Sequence, residues 1–290
     1  MGKQHNVATE LDIVFAEHDG VKLLGDLYLP EGVGNAPVLV GVHGGGWQLG
    51  DRKFYRHWGN YLAKNGYAVF AIEYRLMRPG VKTWPGAVYD CKAAVQFVRA
   101  RAVELGLDPE RIALIGDSAG AHLAALVALA GDEMLFTAEY QSDRYASVRA
   151  DVKAVIGIYG VYDMAAQWEH DLVARPRDQI TEKFLGCPLT ANRKAFFEAS
   201  PLSYATVDKN STRFLLIYGR EDDIVDPVTQ SERFLTALKQ AGFFARTIVV
   251  PGAGHFWSAD PIEEPGSFGA YVGPKVLRFL DAALPDTAAR

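Results

Sequence analysis

Apolar and polar residues alternate in two segments near the start of the chain, 11–15 and 21–29. A period of two is typical of strands that bury one face. The residues His18, Asp19 and Gly20 between the segments form a turn sequence, so the chain is predicted to open with an antiparallel hairpin. The apolar positions of this pattern are Leu11, Ile13, Phe15, Val21, Leu23 and Leu27.

Further along, short apolar runs alternate with segments in which apolar residues recur every three or four positions. The runs predict strands at 38–42, 67–72, 112–115, 154–158, 214–218 and 247–250. The helical spacing is carried by Phe54, Trp58, Tyr61 and Leu62, by Val88, Cys91, Val95, Val98 and Ala102, by Val228, Ser231, Leu235 and Leu238, and by 276–280. This alternation predicts an α/β fold, a mostly parallel twisted sheet with helices on both faces.

One segment, 161–208, interrupts the alternation. It contains Trp168, Phe184, Phe196 and Phe197 among many charged residues. A connection of this length is usually functional or carries its own helices. It is interpreted as a small cap insertion over the site, with plain packing as the alternative. No linker or repeat appears, so residues 1–290 are predicted to form a single domain.

Composition narrows the class of protein. The chain is 49% hydrophobic and 22% charged, with a net charge of −5, which argues against nucleic-acid and anionic-membrane partners. No run of about 18 apolar residues predicts a membrane span, and the first residues do not resemble a signal peptide. Cys91 and Cys187 lack metal-site spacing and are predicted to be free thiols. A cytoplasmic location is expected.

The sequence GDSAG at 116–120 lies between the predicted strand 112–115 and an Ala- and Leu-rich helix. Strand, tight turn and helix are the context of a nucleophile elbow, in which the turn exposes its central residue. In a chain with 28 glycines the motif alone is weak evidence for a nucleophile. The prediction depends on its position between a strand and a helix. Ser118 is therefore the candidate nucleophile.

A serine hydroxyl needs a base, an acid that orients the base, and donors for an oxyanion. Of seven histidines, only His43 and His255 directly follow predicted parallel strands, and His255 is the candidate base. The acid is expected after the strand 214–218. The residues alone leave four candidates open, which are Glu221, Asp222, Asp223 and Asp226.

Three glycines follow the strand 38–42 in the sequence HGGGW, from His43 to Trp47. Consecutive glycines leave backbone N–H groups unshielded, as an oxyanion hole requires, and each such donor contributes about 3 kcal/mol in a transition state. A flexible turn is the alternative, but it does not explain three glycines between a buried strand and a tryptophan.

These motifs together resemble a known family. HGGGW, YRL at 74–76 with Pro79, WPGAVYDCKAAVQFVR, GLDPERIALIGDSAGAHLAAL and PGAGHFW follow one another as in α/β-hydrolase esterases. The chain resembles the hormone-sensitive-lipase-like and BD-FAE-like carboxylesterases, which are related to kynurenine formamidases, over residues 28–280. The resemblance implies an α/β-hydrolase fold with a serine carboxylesterase activity on small to medium esters. It implies no metal and no other cofactor, a small-molecule ester as partner, and a possible homodimer.

Matching positions imply roles for individual residues. Ser118 becomes the nucleophile and His255 the base, and the family's Gly-x-x-Asp falls on 219–222, which favours Asp222 as the acid. The backbone amides of Gly45, Gly46 and Ala119 become the oxyanion hole. A loop-orienting role is implied for His43, and supporting or structural roles for Tyr74, Arg75, Asp90, Asp117 and His122.

The sequence departs from the family at two positions. Tyr218 stands where a histidine is usual, and Trp257 follows His255 directly. Trp47, Trp168 and Trp257 are candidates for substrate binding, with core packing as the alternative for each. Two rival functions are an arylformamidase-type amide hydrolase and a non-catalytic ligand-binding scaffold. The second is disfavoured because the chain keeps serine, aspartate and histidine.

Overall fold

The computed structural model describes residues 4–286, in which eight strands form one sheet in the order β1-β2-β4-β3-β5-β6-β7-β8. The strands are β1 (Val7–His18), β2 (Val21–Pro30), β3 (Ala36–Val42), β4 (Ala68–Ile72), β5 (Leu107–Asp117), β6 (Ala154–Ile158), β7 (Arg213–Gly219) and β8 (Ala245–Val250). The β1–β2 and β2–β4 pairs are antiparallel and all the others are parallel. The predicted fold class is confirmed.

Helices cover both faces of this sheet. They are α1 (Arg56–Lys64), α2 (Gly86–Ala100), α3 (Ala119–Ala130), α4 (Met164–Ala174), α5 (Ile180–Leu185), α6 (Arg193–Glu198), α7 (Arg233–Gln240) and α8 (Phe268–Ala283). Successive residues of β3 point to opposite faces, so Val40 packs with α2 and α3 while Leu39 packs with α1 and α8. The two apolar layers hold the parallel strands rigidly, with their carboxyl ends at one edge.

The hairpin forms as predicted, but its apolar pattern is wrong at two positions. Leu11 is 59% exposed and Val21 is 47% exposed. The pairing of β1 with β2 shifts register between Glu10 and Ile13, and Asp12 there has φ +60°. A bulge of this kind changes which face the next residue occupies, which accounts for Leu11. Val21 lies outside this bulge, as the first residue of β2 after the turn.

Two predicted helical stripes also need correction. Phe54 is exposed and Tyr55 is buried instead, because Arg52–Tyr55 is a 3₁₀ turn with a tighter period and α1 begins only at Arg56. Val228 is also exposed, since the π-helical turn Val228–Glu232 precedes α7 and changes the phase.

The segment 161–208 lies between β6 and β7 and contains α4, α5 and α6. Phe184 and Phe196 are fully buried, whereas Phe197 is 63% exposed. Across the described residues, no helix has the length and apolar character needed to cross a membrane. Nor does the described part of the chain bring together three or more residues able to hold a metal ion.

A buried histidine ties the hairpin turn to the helical layer. His18 is 1% exposed, with Nδ1 2.6 Å from Asp90 Oδ1 and Nε2 2.7 Å from Asp143 Oδ2, and its ring stacks on Tyr140. Arg75 binds the same Asp90 carboxylate through Nε and Nη2. Burial opposes protonation, but the two carboxylates outweigh it and raise the pKa of His18.

Replacing His18 by glutamine is expected to destabilise the protein more at pH 5.5 than at pH 9. Because the folded state raises the pKa, the charged histidine contributes fully below its unfolded pKa of about 6.5 and loses this contribution as pH rises through the folded value. The loss at low pH is about 2 kcal/mol, as for hydrogen bonds to charged groups. Urea unfolding of wild type and His18→Gln across this range measures it, and a larger loss at pH 9 contradicts it.

Candidate active site

Ser118 occupies the turn between β5 and α3 in a strained backbone conformation, with φ +49° and ψ −118°. The turn is tight because backbone meets backbone on both sides. A Cβ on Gly120 would lie 2.0 Å from Val42 O, and one on Gly116 would lie 2.4 Å from Gly120 O. Only glycine fits at both positions, so the turn is held closed and the serine side chain stands clear of the sheet.

Ser118, His255 and Asp222 form a continuous hydrogen-bonded chain. His255 Nε2 lies 3.1 Å from Ser118 Oγ, and its Nδ1 lies 2.7 Å from Asp222 Oδ2. A carboxylate only accepts, so the Nδ1–H of His255 donates to Asp222 and Nε2 is left to accept from the serine hydroxyl. The other oxygen of Asp222 accepts from the backbone N–H groups of Ile224 and Val225, at 3.0 and 2.9 Å.

The other acidic residues of this loop point elsewhere. Asp226 accepts from Thr229 N and Oγ1 and caps the turn before α7. Glu221 and Asp223 are exposed. Of the four candidates left open by the residues, only Asp222 contacts His255 within the described chain.

His255 is supported by two aromatic rings that the sequence analysis did not single out. The Tyr159 ring lies 4.3 Å from the imidazole, centroid to centroid, and its hydroxyl hydrogen-bonds Ser258. On the other side, Phe256 meets the imidazole edge-on at 4.6 Å, with φ +67° and 72% of its surface exposed. These contacts restrict the imidazole to the orientation that reaches Ser118.

The glycine loop after β3 presents unpaired backbone donors beside the serine. Within residues 4–286, the N–H groups of Gly45 and Gly46 donate to no backbone carbonyl or side chain, and both residues line the same cavity as Ser118. Gly44 N donates to Asp117 Oδ1 at 3.0 Å, which fixes the loop to the end of β5. Burial raises the pKa of Asp117 to about 6, although the Gly44 hydrogen bond favours its charged form.

His43 stabilises the same loop from beneath. Its Nδ1–H donates to Gly44 O at 2.7 Å, and its ring stacks on Tyr74, whose hydroxyl donates to His43 O. Burial lowers the pKa of His43 to about 4, so it is neutral at pH 7. Its hydrogen bond is with Gly44 and its ring contacts are with Tyr74 and Phe54; among the described residues it makes none with Ser118.

Trp47 and His122 connect the loop to α3 and to the segment 161–208. Trp47 Nε1 donates to His122 Nδ1 at 3.1 Å, and His122 Nε2–H donates to Ala199 O at 2.7 Å. His122 is completely buried, which lowers its pKa to about 4. The family resemblance implied only a supporting or structural role for His122. Its position four residues after Ser118, one helical turn away, is the sequence feature that places it near the site.

A cavity of about 220 Å³ opens onto Ser118. Of the three candidate tryptophans, only Trp47 lies on its wall. Trp168 Nε1 donates to Glu182, and its ring packs on Phe196. Trp257 is 3% exposed and packs on Tyr159. Neither of these two tryptophans lines the cavity. Residues that the sequence analysis missed complete the wall, among them Leu49, Gln167, Arg175 and Phe256.

Tyr218, which stands where the family usually has histidine, lies at the end of β7 behind the acid loop. It is buried, and its hydroxyl donates to Glu232 Oε1 at 3.2 Å. The Tyr218 side chain therefore connects β7 to the turn before α7. Among the described residues it makes no contact with His255.

The mostly parallel sheet and the strained serine at the β5–α3 turn define an α/β hydrolase, and solved structures share this fold. Carboxyl esterase 2 from the fungus Tuber melanosporum is 25% identical, with a TM-score of 0.74 over 96% of this chain and 86% of that chain. The propionate-bound thermophilic esterase Est2 of Thermogutta terrifontis is 26% identical, with a TM-score of 0.71 over 96% and 93%. The BD-FAE family model matches residues 25–238, and the chain belongs to the BD-FAE family.

Two relatives from Mycobacterium tuberculosis are named as ester hydrolases. The probable carboxylic ester hydrolase LipM is 34% identical over 210 residues, which cover 71% of this chain and 46% of LipM. Esterase LipC is 33% identical over 229 residues, covering 76% of this chain and 53% of LipC. The chain thus spans about half the length of the curated relatives it matches.

Replacing His122 by leucine is expected to cost about 2 to 4 kcal/mol at pH 7.5, because the Trp47 N–H and the Ala199 carbonyl both lose their partner. The folded state lowers the pKa of His122 to about 4. The contribution of His122 is therefore present above its unfolded pKa of about 6.5 and declines as pH falls. Urea unfolding at pH 7.5 and 5.0 measures both effects.

The matched control is His5→Leu, which removes only the exposed hydrogen bond to Glu31 O. It is expected to change stability by less than about 0.5 kcal/mol. Equal losses of unfolding free energy in the two variants would show that the hydrogen bonds of His122 to Trp47 and Ala199 contribute no more to stability than an exposed hydrogen bond does.

Proposed function

We propose that this protein is a serine carboxylesterase that hydrolyses small to medium carboxylic esters through an acyl-enzyme. The observation that carries the proposal is the hydrogen-bonded chain from Ser118 through His255 to Asp222, beside the unpaired N–H groups of Gly45 and Gly46. The names of the relatives, esterase and carboxylic ester hydrolase, support the same chemistry.

In the first half of the proposed reaction, Ser118 Oγ attacks the ester carbonyl carbon while His255 Nε2 takes its proton. The Nδ1–H bond to Asp222 keeps the imidazole in the tautomer that has a free Nε2, and the carboxylate stabilises the imidazolium that forms. His255 then gives the proton to the alkoxide leaving group. The products of this half are the free alcohol and the acyl-Ser118 ester.

The carbonyl oxygen becomes negative when Ser118 adds to it, and it needs donors at that moment. The backbone N–H groups of Gly45, Gly46 and Ala119 are the proposed donors. Ala119 is the first residue of α3, where helix N–H groups lack a carbonyl one turn earlier and the dipole favours negative charge. Such preorganised donors contribute about 3 kcal/mol each to the transition state.

In the second half, water replaces the alcohol and His255 acts as its base. Hydroxide is delivered to the acyl carbon, the same N–H groups hold the oxyanion, and the proton passes from His255 back to Ser118 Oγ. The carboxylic acid leaves and the free enzyme is restored. Each step uses only side chains and backbone groups of this chain together with water.

The segment 161–208 is proposed to cap the site within a single domain. It supplies Gln167, Arg175, Asp178 and Ile180 to the wall of the cavity that Ser118 and the glycine loop also line. A cavity of about 220 Å³ is smaller than the roughly 300 Å³ at which sites for drug-sized ligands begin. Short acyl chains are therefore the preferred substrates in this proposal.

A cytoplasmic location and a homodimer are the remaining parts of the proposal. Support for the first is that Cys91 and Cys187 are both free thiols, as proteins of reducing compartments usually have. The dimer is supported only by the family resemblance. Cell fractionation and light scattering of the purified protein test these two points.

Wild type is expected to hydrolyse p-nitrophenyl acetate and butyrate with a kcat/KM at least about tenfold above that for the decanoate, because the longer chain exceeds the cavity. Ser118→Ala is expected to lower kcat for every ester by at least about a thousandfold, since the nucleophile is lost. Initial rates across the chain-length series measure both.

N-formylkynurenine is assayed beside the esters. Turnover of this amide far above that of every ester would replace the proposal by an arylformamidase. Ligand binding without any turnover would indicate a binding scaffold, and equal activity of Ser118→Ala and wild type would remove Ser118 as the nucleophile.

A further inference from the structure

A single positively charged residue lies on the wall of the catalytic cavity, counting lysines and arginines among residues 4–286. This residue is Arg175, which directly follows the last residue of α4. Much of the surrounding wall is apolar, including Leu49, Ile180 and Val225. Asp178 is the one carboxylate on this wall among the described residues, so the question is how much of the Arg175 guanidinium it uses.

The guanidinium of Arg175 is only partly used by the protein. Its Nη2 binds Asp178 Oδ2, and Lys183 Nζ approaches the other oxygen of Asp178 at 3.4 Å. The Asp178 carboxylate is therefore paired with two cations, Arg175 and Lys183. Within the described chain, Nε and Nη1 of Arg175 donate to no protein acceptor, and the side chain is 26% exposed. Two of the three guanidinium nitrogens thus keep N–H groups without a protein acceptor.

A second acidic residue near Arg175 is Asp171, whose Oδ1 accepts from Gln167 and whose Oδ2 has no hydrogen-bond partner in the described structure. Gln167, Asp171 and Arg175 are spaced by four, which places them on one side of the helix. Gln167 Nε2 donates to Asp171 Oδ1 at 3.0 Å and to Ile224 O at 2.8 Å. Asp171 is completely buried, and its carboxylate makes no ion pair with Arg175 in the described structure. Burial raises the pKa of Asp171, although Gln167 and Arg175 favour its charged form.

We propose that Arg175 is a specificity-determining residue that selects esters carrying a carboxylate on their acyl or alcohol part. The inference rests on the proposed ester hydrolysis, because it concerns the substrate of the same cavity. The N–H groups of Arg175 Nε and Nη1 have no protein acceptor, and a substrate carboxylate can accept a charge-assisted hydrogen bond from them. The carboxylate is recognised and does not react.

Partial exposure limits the size of the effect. Charge-assisted hydrogen bonds are strong in closed sites, but solvent screens a pair at the mouth of a cavity. We therefore expect a preference of about tenfold in kcat/KM for an anionic ester over a neutral one of the same shape. Because the attraction is electrostatic, this ratio falls as ionic strength rises.

The test compares two pairs of esters that differ only in a carboxylate and a neutral carboxamide. The first pair is meta-carboxyphenyl and meta-carbamoylphenyl butyrate, which place the group on the alcohol side. The second pair is the mono-p-nitrophenyl ester of adipate and that of its monoamide, which place it on the acyl side. Wild type is expected to favour the carboxylate by about tenfold in one of these pairs.

In Arg175→Gln the preference is expected to fall to about one, because the carboxylate ester loses more kcat/KM than the carboxamide ester does. Arg175→Lys restores the charge but not the donor geometry of the guanidinium, and it is expected to recover part of the preference. Lys183→Gln is the matched control. It also removes a cation from Asp178, but Lys183 is not on the cavity wall, so the preference is expected to stay within about twofold of wild type.

Two results overturn the inference while leaving ester hydrolysis intact. One is a wild type that shows no preference for the carboxylate in either pair. The other is an Arg175→Gln variant that slows both members of a pair equally, which would assign Arg175 a structural role with Asp178. A wild type that hydrolyses none of the four esters instead contradicts the proposed function on which the inference rests.

Discussion

The contact between the turn at Ser118 and the end of β3 is the constraint on which the site depends. A Cβ on Gly120 would lie 2.0 Å from Val42 O, so α3 is packed against the neighbouring strand without any side chain between them. This approach holds Ser118 at φ +49°, a conformation that costs about 1 to 3 kcal/mol and persists only where its surroundings enforce it. The carboxylate of the adjacent Asp117 accepts a hydrogen bond from the N–H of Gly44 in the glycine loop. Ser118 and the glycine loop are thus fixed to each other through the ends of two paired strands.

The strands, the elbow and the glycine loop were all predictable from local sequence. Buried parallel strands need continuous apolar runs, so the strand at 38–42 could be predicted from its residues. A close approach of two backbones needs glycine, so the turn at 116–120 could be predicted in the same way. The order of these segments along the chain also identified the family, which the comparison confirms. His255 was found by the same reasoning, because ligand-contacting residues of such sheets follow the carboxyl ends of strands.

Side-chain choices that depend on tertiary contacts were not predictable. Glu221, Asp222, Asp223 and Asp226 are chemically similar, so residue chemistry alone left all four open. The family resemblance favoured Asp222, which the folded loop brings to 2.7 Å from His255. Trp168 and Trp257 were candidates for the pocket because large aromatic residues serve core and site equally well. A 3₁₀ turn before α1 likewise buries Tyr55 in place of Phe54, since its period differs from that of an α-helix.

The central claim is that Asp222 and His255 activate Ser118, and the rate of covalent trapping by an aryl organophosphate tests it most directly. One phosphoryl group per chain, located on Ser118 by peptide mass spectrometry, is the expected product. The labelling rate is expected to fall by at least about a thousandfold in Asp222→Asn, where the imidazole loses its orienting acceptor. It is expected to remain near the wild-type rate in Asp226→Asn, whose carboxylate only caps a turn. Labelling at another residue, or a slower reaction in Asp226→Asn than in Asp222→Asn, would contradict the account.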